Sequence, residues 1–275
     1  MQESTKPAAV AQAATLAVRP IEVKAKTPTE APKTVIPLLT LFRHCDILSL
    51  DLGPMSVDHI ITDPPYGIDM AMLNQNNPHG GMVDIDRVEA THQVDDNLKL
   101  LHAFIGRAYD WIKPGGFFAF FYDIMHHNFL FNRCEEVGFK VQRWPVRWEK
   151  THQCMNQSAQ YNFTKDFEPV MICRKGNATL AKPATSSRIL ASNDAKTTSH
   201  PFAKPALVWQ TLAEHMTHPN QLILDPFAGS CSSLKMFITM RRQIIGCEID
   251  EKHFNTGLIE LKETYQRTYA NVEFV

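Results

Sequence analysis

Two acidic turns stand out by the residue types they combine. Asp63-Pro64-Pro65-Tyr66-Gly67 closes one apolar run, and Asp225-Pro226-Phe227-Ala228-Gly229-Ser230 closes another much later in the chain. In the first turn, consecutive prolines fix φ and hold the preceding residue extended, so the chain is stiff where it leaves the strand. The Asp63 carboxylate and the Pro64 carbonyl then form a pair of acceptors with no competing proline N–H, which suits an exocyclic NH₂ group. Tyr66 adds a flat face for a heterocycle, a contact worth about 1–3 kcal/mol where a base lies on an aromatic ring. In the second turn, small residues between a strand and a helix let a ligand lie against backbone N–H groups. Glu248 ends the next apolar run about 20 residues on, where an acidic side chain can bridge two ribose hydroxyls. No G-x-G-x-x-G occurs, which disfavours NAD and FAD and leaves other adenosine cofactors.

Positioning these turns requires strands that end at them. Short apolar runs alternate with helical periodicity, the habit of an α/β fold with a mostly parallel sheet flanked by helices. The pattern predicts strands at 40–43, 59–62, 117–122, 139–141, 146–148, 167–173, 221–224 and 243–246. It predicts helices at 97–113, 129–137, 205–215, 232–239 and 251–265, with proline or glycine marking several of their ends. Residues 177–199, rich in Ala, Ser, Thr and Lys, read as a surface loop.

Composition sets the bounds. A chain of 275 residues, 44% hydrophobic, suffices for one α/β domain with decorations. Residues 1–37, interrupted by Pro7, Pro20, Pro28, Pro32 and Pro37, read as a disordered extension. The net charge of -1 supplies no global cationic field, so any nucleic-acid surface must be local. The six cysteines are scattered without a CxxC pair and read as reduced thiols. His126, His127, His152 and Cys154 lack a second pair at ligand spacing, so no metal is expected. No apolar run is long enough to span a membrane and no signal peptide is evident, so a soluble, cytoplasmic protein is expected.

Three further stretches accompany the acidic turns: His200-Pro201-Phe202-Ala203-Lys204-Pro205, Lys113-Pro114-Gly115-Gly116, and Phe167-Glu168-Pro169 leading to Lys175-Gly176. With these, the chain resembles the S-adenosylmethionine-dependent DNA amino-methyltransferases, in the permuted group whose catalytic motif precedes the cofactor motif. The resemblance covers most of residues 38–265. It implies a Rossmann-like methyltransferase fold over residues 38–275, with target-recognition insertions near 68–96 and 150–199. It implies that Asp63, Pro64, Pro65 and Tyr66 hold the target base. Asp225, Phe227, Ala228, Gly229 and Ser230 should line the cofactor pocket, Glu248 should hold the ribose, and Asp46 should meet the cofactor's adenine amino group. His200 and Lys204 should pack near its methionine end. The implied partners are DNA and the methyl donor, and because the family includes dimers, a second copy of the chain.

One departure is visible: Cys231 stands where the family usually writes a second glycine, which puts cofactor affinity in question. Asp at the head of the first motif is commoner with adenine-N6 targets, whereas cytosine-N4 enzymes of this order often carry serine there. Cytosine N4 remains the alternative, as does a nucleic-acid-binding subunit that has lost activity. For recognition, residues 133–188 hold a local excess of Lys and Arg, and Gln153, Asn156, Gln157 and Gln160 offer amides of the kind that read base edges. Residues 74–82, with two glycines, are expected to close over a flipped base.

Overall fold

The computed structural model of the protein describes residues 34–65, 87–151, 160–192 and 204–275. The chain enters through β1 (Thr34–Ile36), the single turn α1 (Leu38–Leu41), β2 (Phe42–His44) and β3 (His59–Thr62). After α2 (Arg87–Trp111) come β4 (Phe117–Phe121), α3 (His127–Glu136), β5 (Lys140–Val141), β6 (Val146–Lys150), β7 (Phe167–Arg174) and β8 (Arg188–Ala191). The remaining elements are α4 (Ala206–Met216), β9 (Leu222–Asp225), α5 (Ser232–Thr239), β10 (Gln243–Glu248), α6 (Glu251–Thr268) and β11 (Val272–Phe274).

Nine strands form one sheet in the order β2-β10-β9-β3-β4-β7-β6-β8, with β5 paired to β7. From β2 to β4 every pairing is parallel. β7 runs antiparallel to β4 and to β6, and β8 is parallel to β6. The expected mostly parallel sheet is therefore present, with β7 reversed inside it.

The central strands are buried throughout because helices cover both faces. Alternation along β4 makes this visible. Phe118 meets Phe104 of α2 edge-on, with ring centroids 5.6 Å apart, while Phe121 meets Trp209 of α4 on the other face at 5.5 Å. His59 is buried in β3 with its Nδ1 accepting from the Phe117 N–H and its Nε2 on Gln221 Oε1. Burial lowers its pKa, which fits a neutral ring cross-linking strands rather than a reactive one.

Several local expectations need correction. Residues 40–43 do not form one strand, because the Leu41 N–H bonds back to the Pro37 carbonyl and closes α1 before β2 begins. Helix α2 starts ten residues before the expected 97. The loop read across 177–199 contains β8, an edge strand whose Ile189 and Ala191 point inward. Thr34–Ile36, assigned by composition to the disordered extension, pairs in parallel with β11, and Ile36 is buried. Among the described residues no helix is long and apolar enough to cross a membrane.

Candidate active site

Both Asp-Pro turns leave the same edge of the sheet from paired strands, β3 and β9. Thr62, the last residue of β3, donates its hydroxyl to Asp225 Oδ1 at 2.6 Å. The Phe227 N–H reaches the same oxygen at 3.1 Å, and the Ser233 hydroxyl donates to Oδ2. Asp225 is thus buried with both oxygens engaged inside the fold. Burial pushes its carboxyl up to about 6, although Ser233, Thr62 and Phe227 all pull it down, and the nearby Asp63 charge adds to the rise. Asp225 shapes the second turn from within, its carboxylate engaged by Thr62, Phe227 and Ser233.

The rest of that turn is built on backbone groups. Gly229 adopts φ +49, and a Cβ there would meet nothing within 4 Å, so its surroundings are open. Its N–H donates to Glu248 Oε2 at 2.7 Å, while the Asp250 N–H donates to Oε1 at 2.9 Å. Glu248 therefore ties the glycine turn to the start of α6 and keeps a free lone pair on each oxygen. Ala228 and Ser230 are buried, and Phe227 packs edge-on against Phe104 with centroids 5.3 Å apart. Asp46 lies beyond the end of β2, exposed, with Oδ1 accepting from the Leu48 N–H at 2.7 Å.

Cys231 takes the left-handed conformation, φ 56, that a glycine would occupy more cheaply. Its side chain is buried, and α6 makes room for it with Gly257. A Cβ at 257 would lie 2.5 Å from Cys231 Sγ. The turn thus keeps a glycine-like path despite the substitution.

The first turn is arranged differently. Asp63 Oδ2 accepts from Lys204 Nζ at 2.5 Å. Its Oδ1 is buried and finds no hydrogen-bond partner among the described residues, an unusual state for a carboxylate oxygen. Pro64 is buried and Pro65 exposed. Burial raises the Asp63 pKa, opposed chiefly by Lys204. Lys204 itself is only 7% exposed and lies 5.0 Å from the Phe121 ring centroid. Burial disfavours its charge, but Asp63 and Glu168 outweigh that and raise its pKa, so it stays an ammonium. Glu168 Oε2 sits 3.3 Å from Lys204, and Glu168 Oε1 sits 2.9 Å from Lys150. Burial would raise the Glu168 pKa, but the two lysines hold it below the ordinary value.

In this structure Lys204, expected near the methionine end of the cofactor, pairs with Asp63 of the first turn and with Glu168. Glu168, Lys150, Thr62 and Ser233 were not recognised as site residues. Glu168 had a signal, since it lies within the Phe167-Glu168-Pro169 stretch, but the others carry no local mark. Tyr66, His200, His152, Cys154, Gln153, Asn156, Gln157 and the whole 74–82 loop lie outside the described residues. Gln160 is described and exposed. In the basic stretch, Arg147 and Arg188 hold Glu149, Lys165 holds Asp123, Lys182 holds Glu214 and Arg133 holds Glu136, which reduces the cationic surface that composition suggests. Among the described residues no group of three or more His, Cys, Asp or Glu could hold a metal ion.

An α/β sheet with two acidic turns at the carboxyl ends of neighbouring strands, one of them around an open glycine, has the layout of a nucleotide-binding α/β fold. The DNA methylase family N6_N4_Mtase matches residues 57–259. The type II methyltransferase M2.DpnII of Streptococcus pneumoniae is 23% identical over 222 residues, covering 74% of this chain and 81% of its own. The crystal structure of an M1.HpyAVI–SAM complex superposes with a TM-score of 0.58 at 25% identity, over 74% of this chain and 88% of that one. The cytosine-N4-specific PvuII DNA methyltransferase shares the fold, with a TM-score of 0.61 at 15% identity over 85% of this chain and 93% of that one. The chain belongs to the N6/N4 family of DNA methylases.

Proposed function

We propose that this protein transfers a methyl group from S-adenosylmethionine to the exocyclic amino group of a base in DNA, adenine N6 in preference to cytosine N4. The observation that carries the reading is the buried Oδ1 of Asp63, without a hydrogen-bond partner among the described residues, beside a cofactor corner. The corner fits the cofactor. Gly229 leaves open space against the backbone, and Glu248 and Asp46 place carboxylates at the ends of adjacent strands. Glu248 would hold the ribose through its free lone pairs, and Asp46 would meet the adenine amino group. When bound, the cofactor supplies an electrophilic methyl on its sulfonium.

The amino nitrogen of a nucleobase is a poor nucleophile because its lone pair is delocalised into the ring. A hydrogen bond from one amino proton to Asp63 Oδ1, and from the other to the Pro64 carbonyl, favours a more tetrahedral nitrogen. Catalysis is then mostly positioning and fixed electrostatics, and no cysteine has to act as a nucleophile. A base in duplex DNA must be flipped out to reach Asp63, at a cost of a few kcal/mol that stacking on Tyr66 would offset in part. The adenine assignment rests on Asp63 heading the motif, where cytosine-N4 relatives often carry serine.

Incubation with labelled S-adenosylmethionine and unmethylated genomic DNA, followed by sequencing that detects methylated bases, tests both levels. N6-methyladenine at a defined site is the expected product. N4-methylcytosine would overturn the adenine assignment, and cofactor binding without any transfer would overturn the enzymatic reading.

A further inference from the structure

The Asp63 turn is the end of a chain of alternating charges that crosses three elements. Asp63, after β3, faces Lys204 at the entry to α4. Lys204 faces Glu168 in β7, and Glu168 faces Lys150 in β6. The Lys204 ammonium is buried on the Phe121 ring. Such a buried arrangement is a poor source of stability, because desolvating the charges costs about as much as their attraction returns. Its geometry is informative for another reason. A free carboxylate can rotate to offer either oxygen, whereas here Lys204 occupies Oδ2 and leaves Oδ1 as the buried acceptor without a partner among the described residues.

We propose that Lys204 and Glu168 are positioning residues for methyl transfer: Lys204 fixes the Asp63 carboxylate so that Oδ1 is aimed at the target amino group, and Glu168, braced by Lys150, fixes Lys204. The proposal rests on the reading of Asp63 as the amino acceptor and extends it to residues whose side chains do not touch the base. It reassigns Lys204 from the cofactor to the base side of the site. A misplacement of about 1 Å in such an acceptor is enough to weaken a reaction that depends on alignment.

The charges facing Asp63 also set how its activity responds to pH. They are Lys204 at the entry to α4, Glu168 on β7 and Asp225 on β9, with Lys150 on β6 behind Glu168. Lys204 lowers the Asp63 pKa and Glu168 raises it. Removing the lysine charge should move the acid limb of kcat to higher pH, since Asp63 then holds its proton longer. Removing the Glu168 charge should move that limb to lower pH. A residue that only supports packing would not produce opposite shifts.

The experiment measures kcat, KM for DNA and cofactor Kd across pH for the wild type, Lys204→Met, Lys204→Arg and Glu168→Gln. Lys204→Met is expected to lower kcat about 100-fold, the scale of losing one preorganised electrostatic contact, with cofactor Kd within about twofold of wild type. Lys204→Arg should recover at least about tenfold of that loss, and Glu168→Gln should cost about tenfold in kcat. Wild-type kcat in Lys204→Met, a proportional loss of cofactor affinity, or acid limbs that do not shift in opposite directions would overturn the positioning role. Should Lys204→Met fail to fold, the acid limb of Glu168→Gln still decides, since an unmoved or alkaline-shifted limb overturns the proposal. A wild-type protein that binds cofactor but transfers no methyl group fails at the reading of Asp63 itself, which separates the two.

Discussion

The two Asp-Pro turns leave neighbouring strands of one sheet, and their first residues meet opposite fates. Asp225 receives the Thr62 and Ser233 hydroxyls and the Phe227 N–H, so its carboxylate is spent inside the protein. Asp63 receives Lys204 on one oxygen and keeps the other buried and, among the described residues, unpartnered. The first arrangement makes a preformed turn whose shape does not wait for a ligand. The second holds a deficit that a hydrogen-bond donor from outside can relieve, as expected of a group that acts on something rather than holding something up.

The largest effect that can test this contrast lies at Asp63. Asp63→Ala should reduce methyl transfer by at least about a thousandfold while cofactor affinity stays within about twofold. Equal losses in activity assays and cofactor titrations would mean that Asp63 serves the cofactor, and the contrast between the turns would collapse.

Asp225 should behave the other way, with stability and cofactor affinity falling together. Asp225→Asn is expected to cost about 1–3 kcal/mol in urea unfolding, because hydroxyl donors lose a carboxylate oxygen. The pH dependence adds a sign. Burial lifts the Asp225 carboxyl to about 6 in the folded protein, against about 3.9 in an unfolded chain. The folded state then holds the extra proton between these values, so this group's stabilising contribution is complete below the lower value and lost as pH rises through the upper one. The asparagine variant lacks that component. The stability gap between wild type and variant should therefore be larger at about pH 4 than at about pH 8, and a gap that widens with rising pH would contradict the assignment.

The smallest effect concerns how the preformed turn tolerates Cys231. Gly257→Ala should cost about 1–3 kcal/mol through overpacking against Cys231 Sγ and the Phe42 ring. In a Cys231→Gly background the sulfur contact is absent, and the cost should fall by about 1 kcal/mol. Strictly additive unfolding energies in that double-mutant cycle would show that the two positions do not compensate one another.

Much of the scaffold could be read from local pattern. β3 has the predicted bounds, and β9 and β10 lie within two residues of theirs, because fully buried strands read as apolar runs and the acidic turns end them. Helix α5 also matches, since small residues precede its periodic apolar positions. β8 was hidden because four residues of alternating burial inside a Ser- and Thr-rich stretch are too short to show a period. β1 and β11 are three residues each and gain strand character only by pairing across the two ends of the chain.

The candidate site divides along the same line. The sequence by itself determined which residues stand at strand ends, because periodicity, proline stiffness and glycine freedom are properties of neighbouring residues. It therefore placed Asp63, Asp225, Glu248 and the open Gly229 where chemistry could be built. Only the tertiary structure decided which carboxylate would be satisfied and which would keep an oxygen without a partner among the described residues. The decisive partners lie far off in the chain, Lys204 141 residues from Asp63 and Thr62 163 residues from Asp225. A hydrogen bond depends on distance and direction in space, and nothing in the local pattern of an Asp-Pro turn records either.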